Sequence, residues 1–326
     1  MSTSLSINAQ APIRRHGMLA LGLAVLAIIV ILPWFASQFV LHLAILTALN
    51  VLVVNGLALI SRSGQLSLGH AAFIAIGAYV GVLASQYLGL AFWSSALVGT
   101  IATAIIALML GWIILRLKGV YFVLVTFAFG ELVRLVLLDF SAFTGGANGI
   151  TGIDPAALLG FTFDTRASFY ALALVVALLS VLIMHGLFRS PLGHAIDSVA
   201  DNPGLAESTG LSVHRLQVFA FVCGCAMAAF GGNLLARYIG YISPESFNIS
   251  ISVGLIIMLV IGGRRSTWGP LVGAIVLTPL PELFRGAVQT QHIFYGAALI
   301  LILRFLPGGL AALPQAVRSL ATRRNP

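Results

Sequence analysis

Read as a pattern of apolar and polar positions, the chain is a series of long apolar runs broken by short polar gaps. A helix needs about 20 apolar residues to cross a hydrocarbon core of about 30 Å, because every backbone N–H and C=O must find its partner within the segment. Runs of roughly that length fall at 17–35, 38–60, 68–88, 92–115, 120–140, 167–187, 215–238, 249–263, 268–283 and 288–306. The alternating pattern of an outer-membrane barrel is absent. The expected fold class is all-α: a polytopic membrane protein with about ten transmembrane helices. The third and ninth runs are rich in Gly, Ala or Pro, and the pattern leaves open whether they are broken or cross only in part.

Composition agrees, with 60% hydrophobic and 8% charged residues, against roughly 25% charged in a soluble domain. The Lys and Arg residues then orient the chain. With the N-terminus inside, Arg14, Arg15, Arg62, Arg116, Lys118, Arg189, Arg215, Arg264, Arg265, Arg304, Arg318, Arg323 and Arg324 face the cytoplasm, thirteen of the 17 basic residues. Arg166, Arg237 and Arg285 fall outside and Arg134 lies within a run, so the positive-inside rule places both termini in the cytoplasm. The net charge of +8 is thereby a topology signal and an attraction to anionic membrane lipid, with no reason to invoke nucleic acid. The segment "APIRRHGMLALGLAVLAIIVILPWF" is read as a retained first span, since its apolar run is longer than a signal-peptide core. The expected organisation is a cytoplasmic tail over 1–16, a single transmembrane domain over 17–306 and a basic cytoplasmic tail over 307–326.

Two polar interruptions exceed a simple turn. Residues 141–166 lie outside, and their "TGGANGITGI" holds Gly145, Gly146, Asn148 and Gly149, whose glycines permit tight turns. That loop either contacts an external partner or caps the membrane domain, or is an ordinary loop. Residues 189–214 lie inside. There Ser190 and Pro191 predict an N-cap and first helical position, Asn202-Pro203 a stop, and Gly210 the end of a second short helix. Leu192, Ile196 and Val199 recur as a narrow apolar stripe on the first helix. Such a stripe packs on its own bundle or fills a groove on a partner.

Candidate chemistry inside the membrane is sparse. Glu131 and Arg134 share a helix face at i, i+3, and intramembrane ionisable residues are either structural pairs or parts of a pathway. The "SGQLSLGH" approach to the third run sets Gln65, Ser67 and His70 beside two glycines, a pattern that lines a pathway or lets helices pack closely. Cys223 and Cys225 point apart on an apolar helix, and no metal cluster or catalytic nucleophile has the needed spacing. No catalytic residue and no metal ligand is therefore assigned. Lys118 is the single lysine and follows Leu117, so the G-x-x-x-x-G-K-[ST] phosphate loop is missing. The chain is not expected to be an enzyme.

Five segments taken in order carry a family likeness: "SGQLSLGHAAFIAIGAY" (63–79), "LKGVYFVLVTFAFGELVRLV" (117–136), "TGGANGITGI" (144–153), "RSPLGHAIDSVADNP" (189–203) and "VIGGRRSTWGPLVGA" (260–274). Together they resemble the signature blocks of the branched-chain amino acid ABC transporter permeases, and within that family the larger of the two permease types. The resemblance implies a multi-pass protein of the bacterial inner membrane that forms half of an importer pathway with a homologous second permease. Two cytoplasmic ATPase subunits would drive it and an external substrate-binding protein would feed it. This chain would bind no cofactor, ATP being used by the partner subunits. The resemblance also makes 189–214 a coupling loop, with Arg189, Ser190, Pro191, Leu192, Gly193, Ile196, Asp201 and Asn202 as candidate ATPase contacts. Family members often carry more basic side chains there. His194 and Asp197 leave this loop near neutral, which shifts the expected contact to Leu192 and Ile196. Relatives in the same family carry urea, amides or small organic acids, so those substrates stand as the alternative. An ion-coupled secondary transporter is a weaker one, because it calls for charges deep in several spans.

Overall fold

The computed structural model describes residues 33, 35–158, 160–280, 296, 304 and 309–312. The runs at 17–35 and 288–306, like both tails, lie outside the described residues save for a few positions. The helices are α1 (Gln38–Arg62), α2 (His70–Leu88), α3 (Phe92–Ile114), α4 (Val120–Asp139), the single turn α5 (Ser141–Thr144), α6 (Arg166–Arg189), α7 (Pro191–Asp201), α8 (Pro203–Ser208), α9 (Val213–Ile239), α10 (Ile249–Gly262) and α11 (Gly269–Leu277). Among the described residues seven helical segments are long and apolar enough to cross a membrane, the last being Pro244–Gly262. The protein is a multi-pass, mostly helical membrane protein.

The hub is α9, which packs on α1, α2 and α3, while α6 lies against α1 and α10 pairs with α11. Small residues explain the hub. A Cβ on Gly56 would strike the Gly224 carbonyl, one on Gly224 would strike the Gly56 carbonyl, and one on Gly77 would strike Ala229. In lipid, where apolar side chains gain little by leaving the solvent, such close backbone approach and its van der Waals contact drive association. Around these crossings Val54, Leu57, Phe73, Tyr79, Phe221 and Leu234 are fully buried.

Of the two doubtful runs, the third is a continuous helix over His70–Leu88, long enough to cross, and what is irregular is the chain that leads into it. Residues 63–69 do not continue into α2 as helix, and His70, the first residue of α2, already reaches the carbonyl of Val53, nine residues short of the end of α1. Non-helical backbone therefore runs inside the protein here. Among the described residues of the ninth run, α11 covers the nine residues Gly269–Leu277, and positions 281–283 lie outside the described residues. Against α11 lies α10, with Gly262, Gly269 and Gly273 set backbone to backbone.

The loop between α4 and α6 is built as well. Its two-residue strand β1 (Ile150–Thr151) pairs antiparallel with β4 (Tyr241–Ile242) beyond α9, while β2 (Ala157–Leu158) and β3 (Phe161–Thr162) form a small hairpin.

Candidate functional site

The candidate site residues sort into four places. One is the end of the bundle where Arg62, Arg116, Lys118, Arg264 and Arg265 collect, here called the basic end. Ser190 caps α7, its Oγ accepting from Gly193 N at 3.3 Å, with Pro191 in the first turn. Asn202 closes α7 and caps α8 in turn, accepting from Leu205 N at 3.1 Å, and Gly210 takes a positive φ of 87° beyond. The two short helices and their limits are those the turn residues predict.

The orientation of α7 corrects one expectation. Ile196 and Val199 are fully buried against the chain's own bundle, so Ile196 offers no outward contact. Gly193 is also buried, and a Cβ there would collide with the Leu187 carbonyl and the Phe188 Cα at the corner with α6. The apolar stripe thus holds the loop down, because that is where water can be excluded from it. Leu192 remains exposed, joined by Leu205 of α8, which the sequence pattern did not single out. Arg189, Pro191, His194, Asp201 and Asn202 are exposed around them.

Two acidic residues of α7 fasten it sideways. Arg62, the last residue of α1, donates from Nε to Asp197 Oδ1 at 2.8 Å and from its second nitrogen to Oδ2, while its guanidinium lies 3.4 Å above the Phe188 ring. Asp201 accepts from Arg265 in the α10–α11 turn, a pair largely exposed and so of little weight for stability. Arg264 donates to Ser61 Oγ at 2.9 Å, and burial together with the charge of Arg265 pulls its pKa below the ordinary arginine value. The charge count had treated Arg62 and Arg265 only as topology markers. Acids at i and i+4 on α7 were the available sign that two basic partners converge there.

The second place is the non-helical lead-in to α2. Its backbone inside the protein is satisfied in part by side chains from two other elements. Leu68 N donates to Thr126 Oγ1 at 3.2 Å, Gly69 N to Ser67 Oγ at 3.3 Å and Ala71 N to Ser252 Oγ at 2.9 Å. His70 Nε2 donates to the Val53 carbonyl at 3.2 Å. Ser67 and His70 are fully buried, whereas Gln65 opens toward a cavity at the basic end. Thr126 and Ser252 went unnoticed in the sequence, since nothing local distinguishes them from other small polar residues in spans.

The third place is the outward side of α4, a helix on which only Phe122 and Thr126 are buried. Arg134 Nε donates to Glu131 Oε2 at 2.9 Å, and its Nη1 donates to Glu245 Oε1 at 2.7 Å in the turn before α10. The expected pair is a triad, one cation between two carboxylates. Between α4, the lead-in and α10 lies a space of about 10 Å³, lined by Leu68, Ala71, Gly130, Glu131 and Ser252, about the size of one water. The five residues expected along a pathway therefore split: Ser67 and His70 pack inside, Glu131 and Arg134 face outward beside them, and Gln65 turns to the basic end.

At the opposite end the glycine-rich turn is pinned down. Thr144 Oγ1 donates to the Leu137 carbonyl at 2.6 Å and accepts from Gly146 N at 3.2 Å. Gly145, Gly146 and Gly149 all take positive φ, and at Gly149 a side chain would also strike the Ile242 carbonyl. Asn148 is exposed at the tip. Arg237, almost wholly buried at the end of α9, donates to the Asp154 carbonyl at 3.0 Å and to Ser95 Oγ at 3.1 Å, tying the loop to α3. Among the described residues no group of three or more His, Cys, Asp or Glu is placed to hold a metal ion.

Residues 39–303 match the family profile described as "Branched-chain amino acid transport system / permease component". The high-affinity branched-chain amino acid transport system permease protein LivM of Escherichia coli strain K12 is 33% identical over 311 residues, which cover 88% of this chain and 73% of that protein. Its counterpart LivH of Salmonella typhimurium strain LT2 is 25% identical over 273 residues, 77% of this chain and 87% of that protein. A fructose import permease protein, FrcC of Rhizobium meliloti, is 30% identical over 108 residues, 32% of this chain and 30% of that protein. No solved structure matches the chain. A bundle of apolar helices crossing at glycines, matched along nearly its whole span by one family profile, belongs to the permease components of the branched-chain amino acid transport systems.

Proposed function

We propose that this chain forms half of the transmembrane pathway of a binding-protein-dependent ABC importer for branched-chain or related small amino acids in the bacterial inner membrane. A homologous second permease supplies the other half, two ATPase subunits supply the power, and an external binding protein delivers the substrate. The chain itself binds no cofactor, and ATP is consumed by the partners. With about ten spans and both termini inside, the positive-inside rule turns the basic end to the cytoplasm.

The observation that carries this reading is the mounting of α7 and α8. Leu192 and Leu205 stand out from a surface whose buried side is fixed by Ile196 and Val199. A subunit docked on those leucines moves α7, and α7 moves what it is bonded to: α1 through Arg62 and the α10–α11 turn through Arg265. An ATPase cycle on one side of the membrane thereby reaches two elements of the bundle, one of which, α1, packs on the hub helix. Transport further up involves the irregular lead-in and the Glu131–Arg134–Glu245 triad, where polar groups and non-helical backbone meet at membrane depth. The Gly145–Gly149 turn and Asn148 face the binding protein.

The test is co-purification. The chain is expressed with the second permease, ATPases and binding protein encoded beside it, and Leu192→Asp with Leu205→Asp is compared with the parent. ATPase recovery and leucine uptake are expected to fall about tenfold or more, the equivalent of at least 1.4 kcal/mol. Unchanged ATPase recovery with both substitutions sinks the docking role. Uptake of urea, small amides or organic acids in place of branched-chain amino acids would revise the substrate and leave the docking intact.

A further inference from the structure

The lead-in to α2, the α3–α4 turn and the α7–α8 loop enclose a cavity of about 540 Å³ at the basic end that the transport reading does not use. Arg116, Lys118 and His214 line it together with Gln65 and Gln217, and Glu207 supplies one carboxylate. Neither Arg116 nor Lys118 has an ion-pair partner among the described residues. His214 Nε2 is buried without a hydrogen-bond partner among them, and its ring stands edge-on to Trp112 at 4.8 Å. Gln65 is only 5% exposed, and its amide has no partner among the described residues either. Two exposed cations without ion-pair partners, one buried imidazole nitrogen without a partner and the amide of Gln65 border one space, a lining that suits an anion rich in hydrogen-bond acceptors.

A soluble anion accounts for only half of the surface. Beside the cavity, on the ends of α3 and α4 that flank the turn, Trp112, Ile113, Val120 and Tyr121 are all strongly exposed. A polar, cationic recess next to an apolar strip, with a Trp and a Tyr at the boundary, has the two-part chemistry of a membrane interface. We propose that this recess binds the phosphate headgroup of an anionic phospholipid of the inner leaflet, whose acyl chains lie along Trp112, Ile113, Val120 and Tyr121. Arg116 and Lys118 donate to the phosphate oxygens, and Gln65 to the glycerol end, with His214 lining the recess behind them. Val199, Ala200 and Pro203 form the opposite wall, so a bound lipid braces the α7–α8 loop against the α3–α4 turn. Anionic lipid then tunes how firmly that loop is held. The inference needs only that the basic end faces the inner leaflet, and it stands whether or not α7 docks an ATPase.

The test uses the full chain purified in a neutral detergent. Thermal unfolding is followed while phosphatidylglycerol, phosphatidylcholine of the same acyl chains, or glycerol 3-phosphate is added, and native mass spectrometry counts retained lipid. Phosphatidylglycerol is expected to raise the melting temperature and to remain bound, with no comparable effect of the other two. Arg116→Gln with Lys118→Gln weakens that response roughly tenfold or more, while Arg116→Lys with Lys118→Arg keeps it. Arg189→Gln, on the same end but away from the cavity, also keeps it. Equal shifts with phosphatidylcholine, loss of the response in Arg189→Gln, or no retained phosphatidylglycerol on the parent protein each overturn the proposal. A shift reproduced by glycerol 3-phosphate overturns it in favour of a soluble phosphate ligand.

Discussion

Arg62 and Asp197 lie 135 positions apart, yet they form a two-pronged ion pair that joins the end of α1 to the middle of α7, with Phe188 beneath the guanidinium. Arg62 is 11% exposed and Asp197 33%. Removing one partner of a fully buried pair costs about 3–5 kcal/mol, and the partial exposure of Asp197 reduces that here to about 1–2 kcal/mol. Arg62→Ala and Asp197→Ala should each destabilise the chain by that amount in chemical unfolding from mixed micelles. The double variant should lose less than the sum, with a coupling of about 1 kcal/mol. Strictly additive losses would show that the two side chains act independently.

Gly193 and Leu192 are neighbours with opposite consequences. A side chain on Gly193 meets the Leu187 carbonyl and Phe188 backbone, so Gly193→Leu is expected to cost about 1–3 kcal/mol through overpacking and to lower the yield of folded protein. Leu192 is 37% exposed, so Leu192→Asp should cost less than Gly193→Leu, about 1 kcal/mol or less, while reducing ATPase recovery. Melting curves and co-purification on the same samples separate the two. A Leu192→Asp protein that melts several degrees lower would place Leu192 in the fold instead of at a contact.

The difference between these residues marks the limit of what the sequence discloses. The bounds of α7 and α8 were legible because caps act locally: Ser190, Pro191, Asn202 and Gly210 each set the backbone within three residues of themselves. Which partner the Leu192–Ile196–Val199 stripe meets was not legible, since an amphipathic helix looks the same whether it packs on its own bundle or on another chain. The likeness to the permease family pointed outward, and burial at Ile196 turned it inward. Glycine in the third run hinted at a break, but Thr126 and Ser252 acquire meaning only once the folded chain brings them to the amides of Leu68 and Ala71. Glu245 is hidden for the same reason: its partner Arg134 is 111 residues away.

Those two hydroxyls give the next expectation. Ser252→Ala removes the acceptor for Ala71 N, and Thr126→Val removes the one for Leu68 N. Each leaves a backbone donor inside the protein without its partner, at about 1–3 kcal/mol. Thr126→Ser restores the hydroxyl and should recover most of the loss. If hydrogen exchange at Leu68 and Ala71 were no faster in the alanine and valine variants, the side chains would not be holding the lead-in.

The triad on α4 offers a choice between a brace and a pathway wall. Arg134 is bonded to Glu131 and Glu245, whose side chains are 30% and 60% exposed. Arg134→Gln leaves two carboxylates facing each other without their shared cation, so it should loosen the turn before α10 and lower both stability and uptake. That result alone does not distinguish the two roles. Glu245→Gln does, because so exposed an ion pair contributes no more than about 0.5 kcal/mol, and a brace would scarcely register its loss. A pathway wall would, since charge along the route acts on every zwitterion that passes. Glu245→Gln is therefore expected to reduce leucine uptake severalfold at an unchanged melting temperature, measured on the assembled importer in proteoliposomes. Uptake equal to the parent's in that variant would leave the triad a structural brace.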